Sequence, residues 1–243
     1  MDLVDIAGAA ARLVDPILKA SGGRADISGR DIKLAQDRAC ERAIRAYLSA
    51  HTPYSVLGEE EGWGGVEPSR AGAEPSDVPH WVIDPLDGSF NYFRGVPLYA
   101  VSIALCQGEP GRGETQLGVI YDPSRDELVS GGEGLPVRLN GAPVAPRRKG
   151  VRQMLATGYP TRSDPAEVNA RLGEVTREWT KIRMLGSAAL SLSWVALGRL
   201  DGYTEQRIMW WDVAAGLAIA RAAGATISVA PREGFVVDVD VDA

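Results

Sequence analysis

The chain has 243 residues, of which 45% are hydrophobic and 24% are charged, and these proportions are typical of a folded globular protein. Its formal net charge of -6 argues against nucleic acid or an anionic membrane as a partner, but not against an anionic small molecule whose charge bound metal ions can offset. Cys40 and Cys106 are far apart and in no metal-binding spacing, so we expect two free thiols. The first residues are acidic and no apolar run is long enough to cross a membrane, so we expect no signal peptide, no membrane anchor and a cytoplasmic location.

The first half of the chain is predicted to begin with two helices, because apolar residues recur at helical spacing over Leu3–Ala20 and Ile32–Ala50. The apolar run Tyr54–Gly58 predicts a short strand that leads into three glutamates. Gly62–Pro79 is rich in glycine, proline, serine and glutamate and is predicted to be a loop. An antiparallel block is predicted to follow, with strands at Leu98–Gln107, Gln116–Tyr121, Glu127–Ser130 and Val137–Leu139.

The segment PVAPRRKG is the best candidate for a boundary, so we predict an N-terminal α+β domain over residues 1–146 and a C-terminal α/β domain over residues 147–243. Alternating Asp238, Asp240 and Asp242 predict the polar face of an edge strand. The predicted elements of the second domain are Met154–Gly158, Asp164–Thr180, Ala188–Leu197, Leu200–Glu205, Val213–Ala223, Ala225–Ala230 and Phe235–Val239.

The most informative stretch of the chain is the run WVIDPLDGS, in which an apolar strand leads into two aspartates. Pro85 favours an extended backbone at Asp84 and is predicted to end the strand there. Asp84 and Asp87 then lie at the carboxyl end of a strand, where open α/β sheets place their ligands. Two such carboxylates repel each other unless a cation lies between them. By itself the run is equally consistent with a solvated turn.

Two further acidic segments favour a metal site. Glu59, Glu60 and Glu61 follow a predicted strand, although an acidic run of this kind is usually a charged surface loop. Asp212 precedes an apolar helix, where an aspartate is also favoured as an N-cap. Because each group lies at the end of a strand or the start of a helix, we expect them to converge. Carboxylates, backbone carbonyls and water are the ligands that Mg²⁺ prefers.

Gly88 and Ser89 add a candidate phosphate site. If a helical turn begins at Ser89, the amides of both residues are unpaired donors that suit an anion. Metal ions beside a phosphate site are the components of two-metal phosphoryl transfer.

The run DPLDGSFNY, with WVI before it, GEE upstream and WDVAAG downstream, resembles the inositol monophosphatase family of magnesium-dependent, lithium-sensitive phosphatases. The resemblance implies an α+β fold built as a layered α/β/α/β/α sandwich of the sugar-phosphatase type, with the active site between the two domains. It also implies a homodimer, and a small phosphate monoester as the partner.

The resemblance implies a role for each residue of the site, which would hold two or three magnesium ions. The first ion would be bound by Glu59, Asp84, the carbonyl of Leu86, and Ser89. The second ion would be bound by Asp84, Asp87 and Asp212. Gly88 and Ser89 would bind the phosphate. The substrate would be contacted by Asp87, Gly186, Ser187, Ala188, Glu205 and Asp212.

The resemblance also implies that Asp37 and Ser89 orient and deprotonate the attacking water, with Glu60 in support. The alternatives are an exposed helix carboxylate for Asp37 and a strand-end carboxylate for Glu205. His51 and His80 have no catalytic context and are predicted to be surface histidines.

The resemblance therefore implies a phosphoric monoester hydrolase that cleaves a small polyol phosphate, such as inositol monophosphate, by direct attack of metal-activated water. Histidinol phosphate is the main alternative substrate, because FRGVP after the motif resembles some enzymes that act on it. Fructose 1,6-bisphosphate and a nucleotide 3'-phosphate are further alternatives. Two readings are not enzymes: a catalytically silent sugar-phosphate binder, which the full acidic set argues against, and a calcium-binding loop, for which the EF-hand spacing is missing.

Overall fold

The computed structural model describes residues 2–20, 25–28, 31–64, 78–145, 152–159 and 164–243. The helices of this part of the chain are α1 (Leu3–Arg12), α2 (Val14–Lys19), α3 (Ala35–His51), α4 (Ser89–Phe93), α5 (Pro165–Glu178), α6 (Ala188–Ala196) and α7 (Trp210–Ala222). The strands of its first half are β1 (Ala25–Ser28), β2 (Asp31–Leu34), β3 (Ser55–Gly58), β4 (Gly62–Gly64), β5 (His80–Asp87), β6 (Ala100–Gln107), β7 (Glu114–Asp122), β8 (Glu127–Gly132), β9 (Leu135–Leu139) and β10 (Ala142–Pro143). The strands of its second half are β11 (Met154–Thr157), β12 (Lys181–Arg183), β13 (Gly202–Met209), β14 (Thr226–Pro231) and β15 (Val236–Asp242).

The elements form five layers. An eight-stranded sheet has the order β10-β9-β8-β7-β6-β5-β3-β4, and a five-stranded sheet has the order β12-β11-β13-β15-β14. Helices α1 and α3 cover one face of the larger sheet, with α2 against α3, while α6 and α7 lie between the two sheets. Helix α5 lies on the outer face of the smaller sheet, where Arg171 donates to Thr204 and Asp240. This order confirms the predicted α/β/α/β/α sandwich.

Helix α7 shows why the layers stack in this way. Its residues from Val213 to Ala220 are all buried, so the helix has no polar face. A helix that is apolar on every side must be covered on every side, and α7 satisfies this by packing between both sheets. None of the helices that the structure describes is long and apolar enough to cross a lipid bilayer.

The pairing of β3 with β5 brings two acidic segments together. The two strands are parallel, and Gly58 pairs with Ile83. Since parallel strands end at the same edge of a sheet, the chain leaves β3 toward Glu59 beside the point where β5 reaches Asp84.

Three predicted element boundaries are wrong. The helix predicted over Leu3–Ala20 is interrupted at Leu13 and continues as α2. The helix predicted from Ile32 begins only at Ala35, because residues 31–34 pair with residues 25–28 as two antiparallel strands. Strand β5 does not end before Pro85: it continues to Asp87 through a register shift, and such a bulge tolerates a proline that cannot donate to the ladder.

The prediction that the alternating aspartates lie on an edge strand is also wrong, because β15 lies between β13 and β14. These carboxylates alternate with the buried valines of the strand, and each pairs with an arginine outside β15. The pairs are Asp238 with Arg232, Asp240 with Arg171, and Asp242 with Arg152. The predicted loop over 62–79 begins with β4, and its residues 65–77 lie outside the described part of the chain, as does the predicted boundary between residues 146 and 147.

Candidate active site

The aspartates at the end of β5 are held by their own backbone. Asp84 is 1% exposed, and its Oδ1 accepts a hydrogen bond of 2.9 Å from the backbone N–H of Leu86. This turn fixes the Asp84 carboxylate and turns the chain through the bulge toward Asp87. The buried Asp84 carboxylate is therefore held in one orientation by the backbone of its own turn.

Ser89 connects this loop to α3. Its Oγ lies 2.8 Å from the carbonyl of Leu86 and 3.3 Å from Oδ1 of Asp37. Asp37 is only 3% exposed, which contradicts the alternative that it is an exposed helix carboxylate. Gly88 precedes Ser89 with a φ of 93°, and a Cβ at Gly88 would lie 2.9 Å from the carbonyl of Leu98, so the tight entry into α4 needs glycine.

Asp87 connects strand β5 to the N-terminus of helix α6. Its Oδ2 accepts hydrogen bonds from Ser187 Oγ at 2.7 Å and from the backbone N–H of Ala189 at 2.6 Å. Asp87 therefore supplies a carboxylate to the N-terminus of α6, where it suits the helix dipole. The predicted substrate-binding segment from Gly186 to Ala188 is thereby brought to the end of β5.

The remaining acidic residues lie near this point. Asp212 is in the first turn of α7, whose N-cap is Met209, so the alternative that Asp212 is the N-cap is wrong. Burial raises the pKa of Asp212 well above its usual value, and the neighbouring charges of Asp87, Glu59 and Glu205 raise it further. Asp212 therefore shares one electrostatic environment with residues from β5, β13 and the turn after β3.

The same environment acts on the carboxylates of β5. Burial raises the pKa of Asp84 well above its usual value, and the charges of Glu59, Asp87 and Asp212 add to this effect. Burial also raises the pKa of Asp87 to about 6, although the hydrogen bond from Ser187 opposes the shift. A cluster of carboxylates that resist ionisation in one another's presence is what a divalent cation would stabilise.

Glu205 lies within β13, not at its end, which contradicts the strand-end alternative. Its Oε2 accepts a hydrogen bond of 2.7 Å from the hydroxyl of Tyr203, which is itself 1% exposed. Burial raises the pKa of Glu205 to about 7, against the lowering effect of the Tyr203 hydroxyl, and the charge of Asp87 raises it further. Glu205 is therefore an electrostatic neighbour of the acidic cluster.

The candidate ligand atoms of this cluster fit magnesium, because all of them are oxygen atoms and one of them belongs to the buried carboxylate of Asp84. Among the described residues, no three acidic, histidine or cysteine side chains are already gathered at ligand distances around one point. The Asp87 carboxylate accepts instead from Ser187 and from the backbone N–H of Ala189 at the N-terminus of α6.

Three residues that the sequence reasoning missed hold the site together. Glu41 is 0% exposed and accepts from the backbone N–H groups of Glu60 and Glu61, while Arg45 pairs with Glu41. Asn91 donates to the carbonyls of Leu98 and Leu185, at 2.7 Å each. A glutamate one helical turn after Asp37 on the apolar side of α3 was the available signal for Glu41.

The two histidines take no part in this arrangement. His51 is exposed and stacks on Tyr47, as predicted for a surface residue. His80 is 1% exposed and packs edge-on against Trp63, so the prediction of a surface histidine is wrong there. Burial lowers the pKa of His80, because a neutral imidazole is favoured in the interior of the sheet. Cys40 and Cys106 are free thiols, as predicted, and both are buried.

Comparison with known proteins gives a consistent result. Among curated proteins, the chain is 39% identical over 209 residues to an inositol-1-monophosphatase of Mesorhizobium japonicum, covering 84% of this chain and 71% of that protein. It is 38% identical over 197 residues to the Nus factor SuhB of Pasteurella multocida, covering 79% of this chain and 69% of that protein.

Solved structures share the fold. The chain superposes on the extragenic suppressor protein suhB of Bartonella henselae with a TM-score of 0.80 at 30% identity, over 97% of this chain and 92% of that one. It superposes on an inositol monophosphatase of Anabaena (Nostoc) with a TM-score of 0.79 at 31% identity, over 98% of this chain and 89% of that one. A family model described as the inositol monophosphatase family matches residues 3–241. The chain therefore belongs to the inositol monophosphatase family, whose members are phosphatases.

Proposed function

We propose that this phosphoric monoester hydrolase cleaves a small polyol phosphate, such as inositol monophosphate, by direct attack of water in a magnesium-dependent reaction. The observation that carries the proposal is the 1% exposed carboxylate of Asp84 in an environment shared with the half-buried Asp87 and Asp212, where the pKa of each is raised. Carboxylates alone would repel a phosphate, so an acidic cluster suits a phosphate ester only when cations lie between them.

We infer the magnesium-binding residues from the family resemblance, which the shared electrostatic environment of the carboxylates supports. One ion would be held by Glu59, Asp84, the carbonyl of Leu86, and Ser89. The other ion would be held by Asp84, Asp87 and Asp212. Bound magnesium would lower the pKa of water and neutralise charge on the phosphate and on the leaving oxygen.

The reaction also needs a group that takes a proton from water. Asp37 and Ser89 are the candidates, because the Ser89 hydroxyl lies 3.3 Å from Asp37 Oδ1 and Asp37 is buried on α3. Ser89 would hold the water and Asp37 would accept the proton through it, with Glu60 on the neighbouring turn in support. The amides of Gly88 and Ser89 would bind phosphate oxygens.

The substrate would be oriented by acceptors that come from both sheets. Asp87 accepts from Ser187 and Ala189 at the start of α6, and the charges of Asp87 and Glu205 both act on Asp212. Acceptors of this kind suit the hydroxyl groups of a polyol, because each hydroxyl can donate to a carboxylate. We infer that these residues distinguish a polyol phosphate from an apolar one.

A phosphate-release assay tests this function. Inositol 1-phosphate, histidinol phosphate, fructose 1,6-bisphosphate and phosphoadenosine phosphate would be compared with and without Mg²⁺, and with Li⁺ added. We expect Mg²⁺-dependent, Li⁺-inhibited release that is fastest from inositol 1-phosphate. A preference for histidinol phosphate would replace the proposed substrate, and no release from any ester would favour the silent binder. The Asp84→Asn variant, prepared in parallel, controls for a contaminating phosphatase.

The predicted homodimer has its own test, since light scattering distinguishes a dimer from a single chain of 25.9 kDa. The predicted division into domains over 1–146 and 147–243 can be tested by limited proteolysis, which cuts exposed segments between compact units.

A further inference from the structure

Glu41 and Arg45 form a buried clamp around the turn that follows β3. Both lie on α3, four residues apart, and Nη2 of Arg45 is 2.8 Å from Oε1 of Glu41. The Glu41 side chain is 0% exposed and the Arg45 side chain is 11% exposed. Burying an ion pair costs desolvation free energy, which further hydrogen bonds must offset. The other hydrogen-bond partners of Glu41 and Arg45 therefore show which segment the pair holds.

Within the described part of the chain, these partners lie in the hairpin of β3 and β4. Oε2 of Glu41 accepts from the backbone N–H of Glu60 at 2.8 Å, and Oε1 accepts from that of Glu61 at 3.0 Å. Arg45 donates to the carbonyl of Val56 at 2.9 Å, and also to the carbonyl of Gly62. The pair therefore holds the turn from both ends by charge-assisted hydrogen bonds to the backbone.

The clamp needs a close approach of the two elements. A Cβ at Gly58, the last residue of β3, would lie 2.5 Å from Oε1 of Glu41 and 2.7 Å from Nη2 of Arg45. Only glycine leaves room for the ion pair at this point. Residue 58 therefore brings the backbone against α3 one residue before Glu59.

Helix α3 reaches two parts of the site from one face. Asp37 contacts Ser89 at the start of α4, and Glu41, one turn later, holds the amides that follow Glu59. Because residues four apart lie on the same side of a helix, α3 sets the separation between the Ser89 loop and the Glu59 turn.

We propose that Glu41, neutralised by Arg45, is a positioning residue that directs the Glu59 carboxylate toward Asp84 and thereby sets the affinity of the site for magnesium. This inference rests on the proposed function, in which Glu59 is a ligand. Glu41 touches neither substrate nor metal in this proposal and acts only through the backbone of the turn.

The test is metal binding to the metal-free full chain, measured without substrate. Mn²⁺ is titrated while the resonance of free Mn²⁺ is followed by electron paramagnetic resonance, and Mg²⁺ affinity is read by competition. Glu41→Gln keeps the shape of the side chain but replaces one acceptor oxygen by a donor that faces a backbone N–H. We expect about a tenfold weaker affinity for Mg²⁺, within the range found when groups that orient metal ligands are replaced.

A kinetic measurement separates positioning from a general loss of structure. At saturating Mg²⁺ we expect phosphate release by Glu41→Gln to recover to within about threefold of the parent, with an unchanged KM for the ester, because metal excess overcomes weak affinity. Unchanged Mg²⁺ affinity, or a loss of turnover that saturating metal does not restore, would overturn the proposal.

Two further variants complete the design. Glu41→Gln with Arg45→Gln leaves the net charge of the region unchanged and avoids an unpaired buried arginine, so it serves if the single variant does not fold. If the double variant binds Mg²⁺ more weakly than the parent, the loss comes from the position of the Glu59 turn and not from a change in net charge. If it binds Mg²⁺ like the parent, the proposal is overturned. As a control, Glu127→Gln on β8 breaks a more exposed ion pair with Arg199, and we expect this variant to bind Mg²⁺ like the parent.

Glu59→Gln separates this inference from the proposed function. If Glu59→Gln leaves Mg²⁺ affinity unchanged, the proposed ligand set itself fails, and the role of Glu41 fails with it. If Glu59→Gln weakens binding and Glu41→Gln does not, only the inference about Glu41 is wrong.

Discussion

At the scale of single residues, the ionised carboxylates of the site destabilise the metal-free fold. Asp84 is 1% exposed, and burial together with the charges of Glu59, Asp87 and Asp212 raises its pKa well above the usual value. A carboxylate with a raised pKa in the folded state favours the protonated form, so its ionisation works against folding. A bound cation would replace the proton and remove this penalty.

This linkage predicts a pH-dependent effect of magnesium on stability. Asp87 has a pKa of about 6, above the ordinary carboxyl value near 4, so between these values the folded state binds more protons than the unfolded chain. The free energy of unfolding of the metal-free protein should therefore contain a contribution that falls as pH rises through this window. Because Mg²⁺ competes with protons for the same oxygens, its increase of Tm should be larger at about pH 8 than at about pH 5.5.

Thermal unfolding with and without Mg²⁺, in buffers of equal ionic strength, measures this difference. The same measurement with Ca²⁺ tests selectivity: an equal increase of Tm indicates a site for any hard cation, and a smaller increase indicates a site that prefers the smaller Mg²⁺. A Tm increase that does not depend on pH would show that the acidic cluster is not where Mg²⁺ binds.

Asp87 is both a proposed magnesium ligand and the hydrogen-bond acceptor at the N-terminus of α6, and two substitutions can separate these roles. In Asp87→Asn the amide oxygen can still accept from Ser187 and Ala189, whereas Asp87→Ala leaves both donors without their acceptor. We expect both variants to lose Mg²⁺-dependent phosphate release. Only Asp87→Ala should lower the free energy of unfolding, by about 1–2 kcal/mol, a cost comparable to loss of a helix cap.

Chemical denaturation of the two variants without metal, beside phosphate release, measures the separation. Near-normal turnover by Asp87→Asn would remove the second ion from the mechanism. Equal stabilities of the two variants would show that the contact with α6 contributes little.

At the scale of elements, the short helix α4 joins the two halves of the site. The side-chain amide of Asn91 donates to Leu98, in the segment that leads into β6, and to Leu185, just before the N-terminus of α6. The polar residues at the start of α6 are therefore held against the β5 loop by Asn91 and by Asp87. The two contacts with the start of α6, from Asn91 to Leu185 and from Asp87 to Ser187, join residues 94 and 100 positions apart in the sequence.

Asn91→Asp tests this connection. The substitution keeps the size of the side chain but replaces the donor group with an oxygen that faces two carbonyls. Because Asn91 is half-buried, we expect the free energy of unfolding to fall by about 1–2 kcal/mol. The KM for the phosphate ester should rise, since the segment that we propose contacts it loses an anchor. Urea denaturation of this variant and of Asn169→Asp, at an exposed position of α5, provides the comparison; equal stabilities would contradict the role of Asn91.

At the scale of the whole molecule, the five layers depend on α7 lying directly on the eight-stranded sheet. A Cβ at Gly118 of β7 would lie 2.1 Å from the carbonyl oxygen of Ala215 and 2.7 Å from its carbonyl carbon. The helix backbone rests on the sheet at this point without an intervening side chain. Since α7 also packs on the smaller sheet and carries Asp212, its distance from β7 affects the site.

Gly118→Ala should therefore shift α7 and destabilise the fold. Backbone atoms cannot move aside as a side chain can, so we expect a loss of about 3 kcal/mol in the free energy of unfolding. Gly173→Ala, in α5 with no heavy atom near the added methyl, should instead be neutral or stabilise by up to about 1 kcal/mol. Denaturant midpoints measure both, and a Gly118→Ala protein as stable as the parent would refute the direct packing.

Much of the site could be predicted from local pattern. Apolar runs that lead into Glu59 and Asp84 indicated two strands, because alternation and turn residues act over a few positions, although Pro85 did not mark the end of β5, which continues to Asp87. The same local rules placed Asp212 at the start of an apolar helix. The layered fold followed from the resemblance carried by these motifs.

The tertiary structure alone decided which local features face the interior. The burial of Glu41 and His80 and the inner position of β15 depend on which elements pack against them. Pairing between distant strands leaves no mark on local periodicity, so an alternating acidic strand is consistent with an edge or with the middle of a sheet. The charge of a side chain is encoded in the sequence, but the free energy of that charge is set by the groups that the fold brings around it.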